Sequence, residues 1–225
     1  MKKGFTLSEV LITLVVIGIV AAFTIPSLIN YTNDIELKSK AKKTYSMLSG
    51  AMAMTSLNGF STSLTFKNSG DAEIKAMYDK YLSKNLAIMK TCYNTAGCWN
   101  SGHTYYLKGG TVYYSTYGIG VGANIITAVL NDGTFINLDS YGTASMKNYF
   151  GVDVSPAGLV VFFDVNGAKK PNKMGKDVYV AVYRDDTLVP AYADYPEKAD
   201  KDCSSKGTGY ACLYKLVEKG SNMID

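Results

Sequence analysis

The chain has 225 residues, of which 47% are hydrophobic and only 19% charged, with 18 tyrosines and a formal charge of +4. That length suits one sizeable core, and the charged fraction lies below the roughly 25% usual for a soluble globular domain. Two of the positive charges are Lys2 and Lys3, and the excess left without them is too small for the concentrated basic footprint of a nucleic-acid binder.

The amino terminus reads Met1-Lys2-Lys3-Gly4-Phe5-Thr6-Leu7-Ser8-Glu9 and then runs apolar from Val10 to Ile29. About 20 helical residues rising 1.5 Å each make about 30 Å, the thickness of the bilayer hydrocarbon. The segment is therefore expected to cross a membrane, with Lys2 and Lys3 holding the amino terminus in the cytoplasm and the rest outside. An ordinary secretory signal has a shorter apolar region with its cleavage site after it; here the leader-like part ends before the apolar run begins. Glu9 stands at the edge of this helix with no cation beside it in sequence. A charge in such a place is costly and marks a function, so a partner is expected.

Gly4-Phe5-Thr6-Leu7-Ser8-Glu9 followed by Val10-Leu11-Ile12-Thr13-Leu14-Val15-Val16-Ile17-Gly18-Ile19 resembles the class III leader of type IV prepilins and type II secretion pseudopilins. A plain signal anchor needs only apolar length and flanking charge. The resemblance implies cleavage after Gly4 by a prepilin peptidase on the cytoplasmic face, and N-methylation of the new terminus, Phe5. It implies that Glu9 neutralises the amino-terminal charge of a neighbouring Phe5 as subunits assemble, since a carboxylate in lipid gains from meeting an ammonium in a low-dielectric filament core. Pro26 matches the helix-distorting proline of many pilins, in a segment that can partly unwind in filaments; proline lacks the N–H donor and clashes with the preceding turn. The chain then divides into a leader (1–4), a transmembrane and filament-core helix (5–29), and a helix continuation with an exported head (30–225). The partners implied are other pilin or pseudopilin subunits, the peptidase and an inner-membrane assembly platform.

Beyond Pro26 the helical pattern runs to about Leu57, with Ile35, Leu37, Ala41, Tyr45, Leu48 and Met52 among Lys38, Lys40, Lys42 and Lys43. Spacings of three and four predict an apolar stripe packed on the head, and the lysines read as a solvated face near lipid headgroups. Gly59 to Gly70 reads as a loop. A second amphipathic helix is predicted from Asp71 to about Lys90, with Ile74, Met77, Tyr78, Tyr81, Leu82 and Leu86 on one side. From Thr104 the period becomes strand-like. Tyr105-Tyr106-Leu107 and Val112-Tyr113-Tyr114 flank Lys108-Gly109-Gly110, and Ile125 to Leu130 and Thr134 to Leu138 flank Asn131-Asp132-Gly133, which predicts two hairpins. Leu159 to Phe163 and Val178 to Tyr183 are two further strands. The fold class is α+β, and the resemblance implies the pilin fold, a long helix packed across an antiparallel sheet.

Four cysteines occur as two local pairs, Cys92 with Cys98 and Cys203 with Cys212, without the Cys-x-x-Cys spacing of zinc or redox sites. In an exported head they read as disulfides, local pairing being the simplest of three connectivities; in a reducing cytosol they would be small buried hydrophobes. The segment from Cys203 through Leu213-Tyr214-Lys215-Leu216-Val217 resembles the carboxyl-terminal loop and strand of pilin-like heads.

Asp164, Asn166 and Asp177 offer oxygen ligands, and some pseudopilins bind calcium in this region. The twelfth position from Asp164 is Gly175, however, where an EF-hand needs a bidentate glutamate; Asx-turns shaping a long connection fit equally well. Gly118-Ile119-Gly120-Val121-Gly122-Ala123 imitates a dinucleotide fingerprint but precedes a strand instead of a helix. His103, the single histidine, is expected in a surface loop. No catalytic constellation is recognisable and no cofactor is required. The expected function is that of a structural subunit of a type IV pilus or type II secretion pseudopilus; the alternative is a minor pilin or competence pseudopilin whose head binds DNA, a surface or a secreted protein.

Overall fold

The computed structural model describes residues 4, 6–59, 72–99, 104–114, 125–155 and 157–218. The apolar run and the amphipathic stretch after it form one helix, α1, Leu7–Leu57. It continues through Pro26, whose missing N–H leaves the Ala22 carbonyl without its helical donor. The chain divides into two units, residues 1–36 and 37–225. In the first, the large apolar side chains from Leu7 to Ile29 are exposed, and the helix is long and apolar enough to cross a membrane.

In the second unit α1 buries Ala41, Thr44, Leu48, Ala51, Met52 and Thr55. These steps of three and four keep one stripe on the core. Helix α2 (Ala72–Lys80) and a 3-10 turn (Leu82–Asn85) add Ile74, Met77, Tyr78 and Leu82 to it. The expected helix to about Lys90 is corrected here: α2 stops at Lys80, and Ile88–Tyr93 form strand β1. This stretch contains Ile88, Thr91 and Tyr93, residues that favour pleated backbone, and it pairs antiparallel with a partner strand further along the chain.

Both predicted hairpins form. Strands β2 (Tyr105–Tyr106) and β3 (Val112–Tyr114) make a separate two-stranded sheet. Strands β4 (Ile126–Leu130) and β5 (Phe135–Gly142) join through a turn in which Gly133 takes φ +85°, where glycine is unstrained. Helix α3 (Thr143–Phe150) ends on Gly151 at φ 61°, a left-handed helix stop. Strands β6 (Ala157–Asp164), β7 (Val178–Arg184) and β8 (Thr187–Pro190) follow. The main sheet is ordered β1-β4-β5-β6-β7-β8, antiparallel throughout.

Every residue of β6 is buried, because the sheet is covered on both faces. Leu159, Val161 and Phe163 point into the core with α1, while Val160 and Phe162 join Trp99, Tyr105, Phe150 and Tyr210 on the other side. This explains why β6 reads as a continuous apolar run without alternation.

Helix α4 (Pro196–Asp202) starts with proline in its first turn and Glu197 beside it, both suited to a helix start. The carboxyl-terminal segment is a second correction. Cys212–Glu218 is a helix, α5, not a strand; Leu213 and Leu216 are buried in the α1 core, a spacing that only a helix places on one side.

Candidate functional site

Thr6 stands immediately before the first helical residue, and Glu9 is the third residue of the helix. The Thr6 N–H and hydroxyl donate to the same Glu9 carboxylate oxygen at 2.8 and 2.9 Å, and the Thr6 hydroxyl oxygen accepts the Glu9 N–H at 3.3 Å. This is a capping box, which satisfies two of the helix's orphan donors reciprocally. The isolated acid of the sequence thus has a partner in its own first turn, and its charge sits at the end of the helix that favours an anion. The signal was present in the sequence as Thr-x-x-Glu before an apolar run; the reading from charge alone passed over Thr6.

At Gly4 an added Cβ would meet no atom within 4 Å. Phe5, His103 and the Gly118–Ala123 motif lie outside the described residues.

Asp164, at the end of β6, and Asp177, just before β7, are both fully buried. Asp164 accepts the Asn166 N–H at 3.1 Å and the Tyr105 hydroxyl at 3.4 Å, one on each oxygen. Asp177 accepts the Asn172 and Lys173 N–H groups at 2.7 and 2.6 Å, again one on each oxygen. Burial, and then the charge of Asp177, hold the Asp164 carboxyl well above the usual carboxylate range. Burial likewise raises Asp177, against the backbone N–H groups that favour its ion. Asn166 donates to the Lys170 carbonyl at 3.2 Å, while its own Oδ1 and that of Asn172 are buried without a partner.

Each carboxylate oxygen thus accepts one hydrogen bond from an N–H or O–H group. Among the described residues no three His, Cys, Asp or Glu side chains gather as a metal site would require. The hydrogen bonds are those of side chains that close turns onto the backbone.

Cys92 is bonded to Cys98 and Cys203 to Cys212, with Cα separations of 5.8 and 4.9 Å. The first bond packs against Val129 on β4. The second closes the loop between α4 and α5.

Residues 1–25 match the family model described as the prokaryotic N-terminal methylation motif. Neither a curated protein nor a solved structure matches the chain.

Proposed function

We propose that this chain, which carries the class III leader of type IV pilins and pseudopilins at its amino terminus, is a structural subunit of a type IV pilus or type II secretion pseudopilus. The leader match over residues 1–25 is the observation that carries the reading. A prepilin peptidase removes residues 1–4 on the cytoplasmic face and Phe5 becomes the methylated terminus. In this reading Gly4 is the residue after which the peptidase cuts.

The exposed apolar length of α1 supports a single membrane crossing, and Lys2 and Lys3 ahead of it support a head on the far side. The same surface is the one neighbouring subunits cover when an inner-membrane platform draws them into a filament. Glu9 then exchanges its Thr6 contacts for the Phe5 ammonium of a neighbour, an ion pair strengthened by low dielectric only where its hydrogen bonds are made good. The chain performs no reaction in this reading.

Mass spectrometry of the native protein tests it. The expected terminus is Phe5 bearing one methyl group, in a protein recovered from sheared or pelleted filaments. Met1 still attached, in a protein never found in polymers, would end the proposal.

A further inference from the structure

Between the β2–β3 turn and the loop closed by Cys203–Cys212 lies a half-open cavity of about 670 Å3. That volume is within the range of small-molecule sites. Leu107 and Thr111 of the hairpin form one wall, Lys206 and Thr208 the opposite one, and α4 contributes Lys198 and Lys201. The walls are joined by main-chain bonds: the Lys108 N–H donates to the Thr208 carbonyl at 2.9 Å and the Gly109 N–H to the Gly207 carbonyl at 2.8 Å. A Cβ at Gly207 would lie 1.8 Å from the Asp202 carbonyl oxygen, so the loop is fitted tightly to α4. Disulfide, hairpin and helix together give a cavity already formed before any ligand arrives.

Its charge is unbalanced. Asp202, the acid in the lining, is turned into the protein. Its carboxylate accepts the Thr208 hydroxyl on one oxygen and the Ala211 N–H on the other at 2.7 Å. Tyr192 lies beside it, its phenol pushed up to about 12 by burial and then by that carboxylate. Asp202 is therefore engaged away from the lysines. Lys198 rests over the Tyr195 ring at 4.3 Å. Among the described residues neither Lys201 nor Lys206 has an anionic partner. Lys198 and Lys201 are three apart on α4 and share a face.

We infer that this cavity binds a phosphate-bearing small molecule of sugar-phosphate size. Lys198, Lys201 and Lys206 hold the phosphate, and the Thr111 hydroxyl meets a polyol. Lysines act as point charges and suit a dianion; planar carboxylate recognition favours the arginine fork. The chain's single arginine, Arg184, is elsewhere, paired with Asp194. The inference concerns the head alone and does not depend on the filament reading.

Titration calorimetry on the full chain in a non-ionic detergent tests it, with glucose 6-phosphate, glucose and dihexanoyl phosphatidylglycerol as probes. Glucose 6-phosphate is expected to bind saturably at millimolar concentration or below, and glucose not to bind. The double substitution Lys201→Gln with Lys206→Gln is expected to weaken binding roughly tenfold or more, while Lys169→Gln, at an exposed lysine of the β6–β7 connection, leaves it unchanged. Absence of saturation, or equal affinity in the two variants, overturns the assignment. Tighter binding of dihexanoyl phosphatidylglycerol than of glucose 6-phosphate assigns the cavity to a lipid headgroup and overturns the soluble ligand.

Discussion

The Tyr45 hydroxyl of α1 donates to the Leu188 carbonyl of β8 at 2.7 Å, joining residues 143 positions apart. It ties the long helix to the last strand of the sheet, where main-chain groups are not all taken by a second neighbour. Tyr45→Phe keeps the ring and removes the hydroxyl that makes this bond. A loss of about 1 kcal/mol in unfolding free energy is expected, measured by urea denaturation of the detergent-solubilised chain, with an unchanged m-value showing that the fold is otherwise intact.

Glu9 holds two relationships that substitution can separate: a cap within its own helix, and the charge pairing proposed between subunits. Glu9→Gln preserves the reciprocal cap, since glutamine serves in a capping box, but removes the charge. Glu9→Ala removes both. Each variant is expected to insert and to be cleaved normally, and both are expected to enter filaments poorly in a shearing assay. Filament yield from Glu9→Gln equal to wild type would show that the cap, and not the charge, is what assembly uses.

The carboxyl of Asp164 is held above the ordinary value of 3.8 by burial and then by Asp177. A raised folded-state value means that the native state binds the proton more tightly than the unfolded chain. The stability contributed is complete below pH 3.8 and is lost as pH rises through the folded value. Melting temperature should therefore fall more steeply with rising pH in wild type than in Asp164→Asn. Parallel pH profiles would remove Asp164 as the source.

The bond between Cys203 and Cys212 closes a short loop. Replacing both residues with serine is expected to lower stability by about 2–3 kcal/mol, the scale for a short closed loop. Denaturant midpoints of the double variant and wild type, both under non-reducing conditions, check this value. The same variant should lose affinity for glucose 6-phosphate, because residues 204–208 form a wall of the cavity.

Calcium provides a separate test of the Asp164, Asn166 and Asp177 loop. Burial holds both carboxyls above their usual range, so a cation would have to compete with the proton, and millimolar calcium is expected to leave the melting temperature unchanged. A ligand that bound only the folded state would raise it by mass action, and a saturable rise abolished by Asp177→Asn would establish a cation site.

Much of the architecture could be read along the chain, because local pattern dictated it. A largely apolar run of twenty residues, Val10 to Ile29, followed by steps of three and four has one economical backbone solution, the helix α1. Gly133 could be placed in a hairpin turn because its neighbours alternate and few other residues tolerate its φ. Of the functional amino terminus, Gly4 and Glu9 were visible; Thr6 was visible too, but only to a reading of main-chain donors instead of charges.

Ile88–Tyr93 and Cys212–Glu218 show where that kind of reading ends. Both are short apolar stretches whose backbone groups can be satisfied equally by a strand or a helix. The first became a strand because an edge of β4 was open to pair with it; the second became a helix because Leu213 and Leu216 could enter the α1 core from one side. The same holds for Asp164, whose hydroxyl donor is Tyr105, 59 positions away, and for the lysines gathered around the cavity. The amino-acid order alone determined the membrane-length helix, the leader and the hairpins, since each depends on neighbours within a few turns of chain. Tertiary structure alone decided which ambiguous segments paired and which polar groups met, because a buried donor or acceptor takes whatever partner the closed fold brings within reach.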